Sequence, residues 1–225
     1  MNHSYEIEIK SLLGAKENAD KLIADMQQKD SAFVAHGSHK QLNHYFVGGN
    51  LRDLHTKLQN HVSDDKLALL LDVALKAKDF SVRVRWADGV VLMVVKASVD
   101  DTTSSNGTAR LEWEAEVSLS IEELDELVLA AGFSYQAKWS RERQDFSYKG
   151  ANVSIDKNAG YGYLAEFEMI ANTPEAAEET KKQLRELMAE INVEELPQER
   201  LARMFDFYNN NWADYYGTDK TFNIE

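Results

Sequence analysis

Tyr5-Glu6-Ile7-Glu8-Ile9-Lys10 carries an apolar side chain at every odd position and a charge at every even one. Strict alternation with period two marks a half-buried β-strand. The pattern recurs along the chain. Val82, Val84 and Trp86 alternate with Arg83 and Arg85. Leu111, Trp113, Ala115 and Val117 alternate with Arg110, Glu112, Glu114 and Glu116. Val153 and Ile155 alternate with Ser154 and Asp156, and Ala165, Phe167 and Met169 with Glu166 and Glu168. Arg141 and Arg143 share one face of a further strand, in which Trp139 breaks the rhythm. Asp100 to Thr108 reads as a hairpin loop, because Asn106-Gly107 supplies the positive φ of a tight turn. Gly160-Tyr161-Gly162 reads as a second turn.

Helical stripes lie between and after these strands. Ala15 to Gln28 places Ala19, Leu22, Ile23 and Met26 on one face. Leu51 to Ala77 reads as two helices broken near Ser63-Asp64. Ser120 and Glu123 have the spacing of a capping box, and Gly132 closes that helix. Thr173-Pro174 opens another, a small polar cap before a proline at the first helical position. The stretch from Leu196 carries a last stripe and an aromatic end, Trp212, Tyr215 and Tyr216, expected to pack. Adjacent strands with separate helices predict an α+β fold on a largely antiparallel sheet. No linker divides the chain, so residues 1–225 are expected to form one domain, with residues 196–225 a C-terminal helical tail.

Composition narrows the function classes. The 225 residues hold 25 Lys plus Arg, 38 Asp plus Glu and no cysteine, a net charge of −13. The missing cysteine excludes disulfides, thiolate metal sites and cysteine nucleophiles. The acidity argues against nucleic acid or an anionic membrane as partner. The longest apolar run, Val90 to Val95, is far too short to span a bilayer. The opening MNHSYEIEIK lacks the apolar stretch of a signal peptide, so a cytoplasmic protein is expected. Oligomeric state is left open, with a homodimer allowed.

The alternating strands have one unusual property. Their polar positions are nearly all long ionisable groups, sorted by strand: acids at Glu6, Glu112 and Glu166, bases at Arg83 and Arg141. An ordinary wet sheet face mixes signs and includes many Thr, Ser and Gln. Carboxylates beside guanidinium groups suit a polyanion carrying a divalent cation. Two Glu-x-Glu pairs, Glu6 with Glu8 and Glu166 with Glu168, would repel one another at close quarters, and a bound cation would relieve that cost. His36 and His39, read as loop residues, lack a third ligand nearby and are not taken as a metal site.

In order and spacing these residues resemble the CYTH family, the triphosphate tunnel metalloenzymes, from about Tyr5 to Ile170. The family's E-x-E-x-K signature is Glu6, Glu8 and Lys10. Its paired basic strand and following lysine look like Arg83, Arg85 and Lys96, and its R-x-E-x-E strand like Arg110, Glu112 and Glu114. A second basic pair looks like Arg141 and Arg143 before Phe146, and the closing stretch like Asp156, Gly162, Glu166 and Glu168. The resemblance implies an eight-stranded antiparallel β-barrel, open as a tunnel and surrounded by helices. It implies that Glu6, Glu8, Asp156, Glu166 and Glu168 hold Mg²⁺ or Mn²⁺. It implies that Lys10, Arg83, Arg85, Lys96, Arg141 and Arg143 bind a small-molecule triphosphate. Glu168 and Lys10 are the expected catalytic residues, while Arg110, Glu112 and Glu114 would line the same interior. Two features depart from the pattern: Val47-Gly48 follows His44-Tyr45-Phe46, and the 51–77 stretch is long. The activity implied is metal-dependent hydrolysis of inorganic triphosphate, thiamine triphosphate or a nucleoside triphosphate. A class IV adenylyl cyclase is the alternative, and a polyphosphate-binding module without turnover the third reading.

Overall fold

The computed structural model describes residues 5–98, 110–171 and 173–225. The side chains of Tyr5, Glu6, Ser98, Arg110, Leu111, Glu112, Pro174 and Glu175 lie outside that description, as does the expected Asp100–Thr108 hairpin. Eight strands occur among the described residues: β1 (Tyr5–Gly14), β2 (Val34–Gly48), β3 (Asp79–Ala87), β4 (Val90–Ser98), β5 (Arg110–Val117), β6 (Phe133–Tyr148), β7 (Ala151–Asn158) and β8 (Gly162–Ala171). They join in the order β1-β8-β7-β6-β2-β3-β4-β5, and every register resolved is antiparallel. This is the expected α+β class. β1 and β5 stand at the ends of the order, and no pairing between them occurs among the described residues. His36 and His39, expected in a loop, lie instead within β2.

Contacts gather in two compact units: Met1–Lys40 with Ser140–Glu225, and Gln41–Trp139. Strands β2 and β6 contribute residues to both. Each unit has a core of its own. In the first, Ile9, Phe146, Val153, Ile155 and Phe167 face Leu22 and Met26 of α1 (Lys16–Lys29) and Leu184 and Met188 of α5 (Pro174–Glu190). In the second, Val82, Val84, Met93, Val95 and Trp113 face three helices: α2 (Leu51–Leu58), α3 (Asp64–Lys76) and α4 (Ile121–Ala130). Full burial of each large aliphatic side chain contributes about 1.5–3 kcal/mol. These apolar residues occupy one parity of each strand, so the charged parity is left on the opposite face.

Local signals fix the helix starts. Ser120 Oγ accepts from the Glu123 backbone N–H at 3.2 Å, and Glu123 Oε2 accepts from the Ser120 N–H at 2.8 Å. That reciprocal capping box satisfies two of the donors a helix start leaves open. Thr173 caps α5 through its hydroxyl, ahead of Pro174.

The C-terminal tail packs onto the first unit. It comprises α6 (Gln198–Asn211), a 3₁₀ turn (Trp212–Asp214) and an extended end. Thr221 bridges Gly160 in parallel, and the Phe222 N–H donates to the Gly160 carbonyl at 2.8 Å. The Phe222 ring lies 5.1 Å from Tyr161, and Tyr208 lies 5.9 Å from it. Gly160 permits this approach. Its φ is +79°, and a Cβ there would come within 2.7 Å of the Phe222 ring and 2.9 Å of Tyr208. Among the described residues no helix is long and apolar enough to cross a membrane.

Candidate active site

Register builds the charged face of the first unit. Glu8 stands across from Glu168, and Lys10 across from Glu166. Glu166 in turn faces Ser154 on β7, and Asp156 faces Arg143 on β6. Residues directly opposite in an antiparallel pair share a face. Glu8, Lys10, Glu166, Glu168, Asp156, Arg141 and Arg143 therefore lie on one face of four neighbouring strands. Glu6 has its backbone position on the same face, across from Ile170.

The side chains form a connected ionic network. Lys10 pairs with Glu8, and its Nζ lies 3.2 Å from Glu166 Oε1. Arg143 donates from Nε to Asp156 Oδ1 at 2.7 Å and from Nη2 to Asp156 Oδ2 at 2.6 Å. The same Nη2 reaches Glu166 Oε2 at 2.5 Å. Arg141 Nη1 adds a bond to Asp156 Oδ2 at 3.2 Å. Asp156 is wholly buried, at 0% exposure, and both of its oxygens accept from guanidinium donors. Burial alone would raise the Glu166 pKa, but Lys10, Arg143 and Arg141 together pull it below the usual carboxylate value. Burial likewise works against the Arg143 charge, and Asp156 and Glu166 more than offset it.

The donor set fits a hard divalent cation. Glu8 and Glu168 set two carboxylates directly opposite each other, a like-charge pair that Lys10 offsets at Glu8 and that a cation would offset further. Among the described residues no three Asp, Glu or His side chains already form a cage able to hold a metal ion. Mg²⁺ fits such a partial set, since it commonly takes one or two carboxylates and completes its shell with water and substrate phosphate. Asp156, expected among the metal ligands, has its carboxylate occupied by Arg141 and Arg143.

The second unit carries its own basic face. Arg83 stands across from Tyr45 and Val94, and Val94 across from Glu114. Arg85 faces Asn43, and Lys96 lies between Ser81 and Glu112 in register. Arg83, Arg85, Lys96 and Glu114 thus share a face, with the backbone positions of Arg110 and Glu112 on the same parity. Two uncharged residues, Tyr45 and Asn43, organise this face. Arg83 Nη1 donates to the Tyr45 hydroxyl at 3.0 Å, with its guanidinium 5.4 Å from the Tyr45 ring centroid. Arg85 Nε donates to Asn43 Oδ1 at 2.9 Å. Their signal was present: Asn43 and Tyr45 alternate with the apolar positions Leu42 and Phe46, but neither is ionisable. Arg83 Nε is buried and has no hydrogen-bond partner among the described residues, a donor suited to an anionic ligand.

Behind that face, His44 points into the apolar layer. Its Nδ1 donates to Asp125 Oδ2 of α4 at 2.7 Å. Tyr135 donates to the same oxygen at 2.7 Å, and Lys138 at 3.0 Å. Burial would raise the Asp125 pKa, but the bonds from His44, Tyr135 and Lys138 leave it below the ordinary value. Lys138, set apart from the Arg141 and Arg143 face on its spacing, is engaged here.

A CYTH domain model matches residues 4–200, a span that takes in the second unit and most of the first. No curated protein matches the chain. Among solved structures, the PH1012 protein from Pyrococcus horikoshii OT3 aligns with a TM-score of 0.54 at 18% identity, covering 86% of this chain and 92% of that one. A conserved hypothetical protein from Pyrococcus furiosus aligns at 0.53 and 16% identity, covering 88% and 93%. A Vibrio parahaemolyticus protein, a candidate adenylate cyclase, aligns at 0.53 and 12% identity, covering 86% and 94%. At these identities the likeness speaks to the fold.

Proposed function

The chain belongs to the CYTH family, whose enzymes generally use divalent metals, and on that premise we propose that it is a metal-dependent triphosphatase. The observation that carries this reading is the facing pair Glu8 and Glu168 beside Lys10, Arg141 and Arg143 on one sheet face. Carboxylates and guanidinium groups so placed suit a phosphate chain and its cation together.

Glu8 and Glu168, with Glu6 from the same strand face, would hold Mg²⁺ or Mn²⁺. Bound there, the cation would polarise phosphate oxygens and lower the pKa of coordinated water. The chain's own residues do the rest. Lys10, Arg141 and Arg143 grip phosphate oxygens and neutralise the charge that spreads over the transferring phosphoryl group. Glu168 orients the attacking water. Asp156 and Glu166 fix the Arg143 guanidinium before substrate arrives, so little reorganisation is needed in the transition state. The second unit has phosphate-binding candidates of its own in Arg83, Arg85 and Lys96, with Tyr45 and Asn43 setting the two arginines.

Phosphate release from tripolyphosphate, thiamine triphosphate and ATP, with Mg²⁺ and Mn²⁺ compared, tests the reading. Glu6→Gln combined with Glu168→Gln should lower hydrolysis by at least about 100-fold, the scale of losing groups that act on the transition state. Undiminished hydrolysis in that double variant would sink the assignment. Cyclic AMP and pyrophosphate from ATP, in place of orthophosphate, would show a cyclase instead.

A further inference from the structure

Helix α3 is apolar on two sides. Leu67, Leu70 and Val73 are buried in the core of the second unit. On the outside, Leu75 is 62% exposed, Leu69 56% and Leu71 39%. The other exposed large apolar side chains, Ile170 and Phe205 among them, lie scattered over different elements. Scattered apolar residues are ordinary on a protein surface, whereas a contiguous patch marks an interaction site. Ala68, Leu71 and Leu75 are spaced by three and four residues, so they form one outer stripe, with Leu69 on its flank. The 13 residues of α3 rise about 20 Å, and the stripe runs along most of that length.

Charge frames the stripe unevenly. Asp64 and Asp65 stand in the first turn of α3, Lys76 in the last, and Lys78 just beyond it. Asp72, beside the stripe, pairs with Lys76 at 2.6 Å. A helix acidic at one end and basic at the other complements a second copy of itself that runs antiparallel. About a twofold axis near Leu71, the Asp64–Asp65 end of each copy lies against the Lys76–Lys78 end of the other. Leu71 then meets its own counterpart, and small Ala68 lies opposite Leu75, so the stripe interdigitates. A parallel pairing would instead set Asp64 and Asp65 against their own copies. The face is thus self-complementary, as a twofold contact requires. It is also no consequence of the family resemblance, because α3 lies in the 51–77 stretch whose length departs from the CYTH pattern.

We propose that the outer face of α3 docks a second copy of this chain, helix against helix and antiparallel. One pair of 13-residue helices is a small contact beside the roughly 1,200–2,000 Å² of a standard interface. The dimer is therefore weak and concentration-dependent, with a dissociation constant on the order of 10–100 µM.

Sedimentation equilibrium of the full chain, from about 5 to about 500 µM, tests this. The wild type should pass from mostly monomer to mostly dimer over that range. Leu71→Glu with Leu75→Glu should weaken association at least about tenfold. Both side chains are exposed, so the variant should keep its fold, which circular dichroism checks. Charge exchange reads the orientation. Asp64→Lys with Asp65→Lys, and separately Lys76→Glu with Lys78→Glu, should each self-associate less than wild type. An equal mixture of those two variants should associate more tightly than either alone, because each end again meets its opposite charge. A wild type that stays monomeric at about 500 µM would leave the face to a different partner and overturn the proposal. So would a dimer whose strength the leucine variant leaves unchanged, since its contact would lie elsewhere. Charge variants that all associate as the wild type does would overturn the antiparallel arrangement.

Discussion

Arg143 concentrates the chemistry of the first unit in one side chain. It bonds both oxygens of fully buried Asp156 and reaches Glu166 at 2.5 Å. A buried ion pair adds little net stability, but stripping one partner leaves an uncompensated charge in the interior. Arg143→Ala should therefore destabilise the fold by about 3 kcal/mol, the lower end of the usual range because Arg141 still holds Asp156 at 3.2 Å. Urea unfolding followed by circular dichroism measures the loss. Restored stability in Arg143→Ala with Asp156→Asn would identify the stranded carboxylate as its cause. Much of this arrangement is legible in the sequence, because Glu8, Lys10, Glu166 and Glu168 fall on one parity of obvious strands. Which residue faces which is not legible, since register depends on partners far away in the chain. The pairings of Glu8 with Glu168 and of Arg143 with Asp156 thus appear only in the folded sheet. The same gap hides the surroundings of Asp156, which the family resemblance implies as a metal ligand and whose two neighbouring arginines hold its carboxylate.

Among the elements, α4 is tied to the sheet by more than apolar packing. Asp125 is 3% exposed and accepts from His44 of β2 and from Tyr135 and Lys138 of β6. His44 lies between Asn43 and Tyr45, the residues that hold Arg85 and Arg83. The helix thus braces the strand segment that sets two phosphate-binding candidates. Asp125 has a folded pKa below its unfolded value of 3.8. Its contribution to stability is then fully present above about pH 4 and lost as pH falls through the lower folded value. Asp125→Asn should be less stable than wild type at pH 7, and the gap should narrow as pH drops below about 4. Unfolding free energies at pH 7, 4 and 3 decide this; a gap constant across that range would contradict it. Sequence periodicity could not show the brace. Phe133 and Ala137 are buried at odd positions of β6, while Phe146 and Tyr148 are buried at even ones, so the alternation changes phase within the strand. Reading backwards from Arg141 and Arg143 therefore places Lys138 off their face but cannot say what it meets.

At the scale of the whole molecule, the net charge of −13 and a site for a polyanion stand in apparent conflict. The conflict resolves because charge acts locally: at 0.15 M salt, exposed charges more than about 8 Å away are largely screened. On the reading proposed above, the grouped cations on each sheet face would govern binding, and the two carboxylates Glu8 and Glu168 would make it depend on metal. Ligand that binds only the folded state stabilises it by about 2.7 kcal/mol at 100 times its dissociation constant. For a chain of this size that corresponds to a rise in Tm of about 5–10 °C. Tripolyphosphate with Mg²⁺ should produce such a rise, and excess chelator should remove most of it. In Glu8→Gln with Glu168→Gln, the facing carboxylates are gone, and with them two of the three proposed metal ligands, Glu6 remaining. Tripolyphosphate alone should then stabilise the variant at least as well as it does wild type, while adding Mg²⁺ should bring a much smaller further gain than in wild type. Differential scanning calorimetry over the four combinations of protein and metal reads this directly. A Mg²⁺ increment of equal size in the variant and the wild type would place the cation elsewhere than on the β1 and β8 carboxylates.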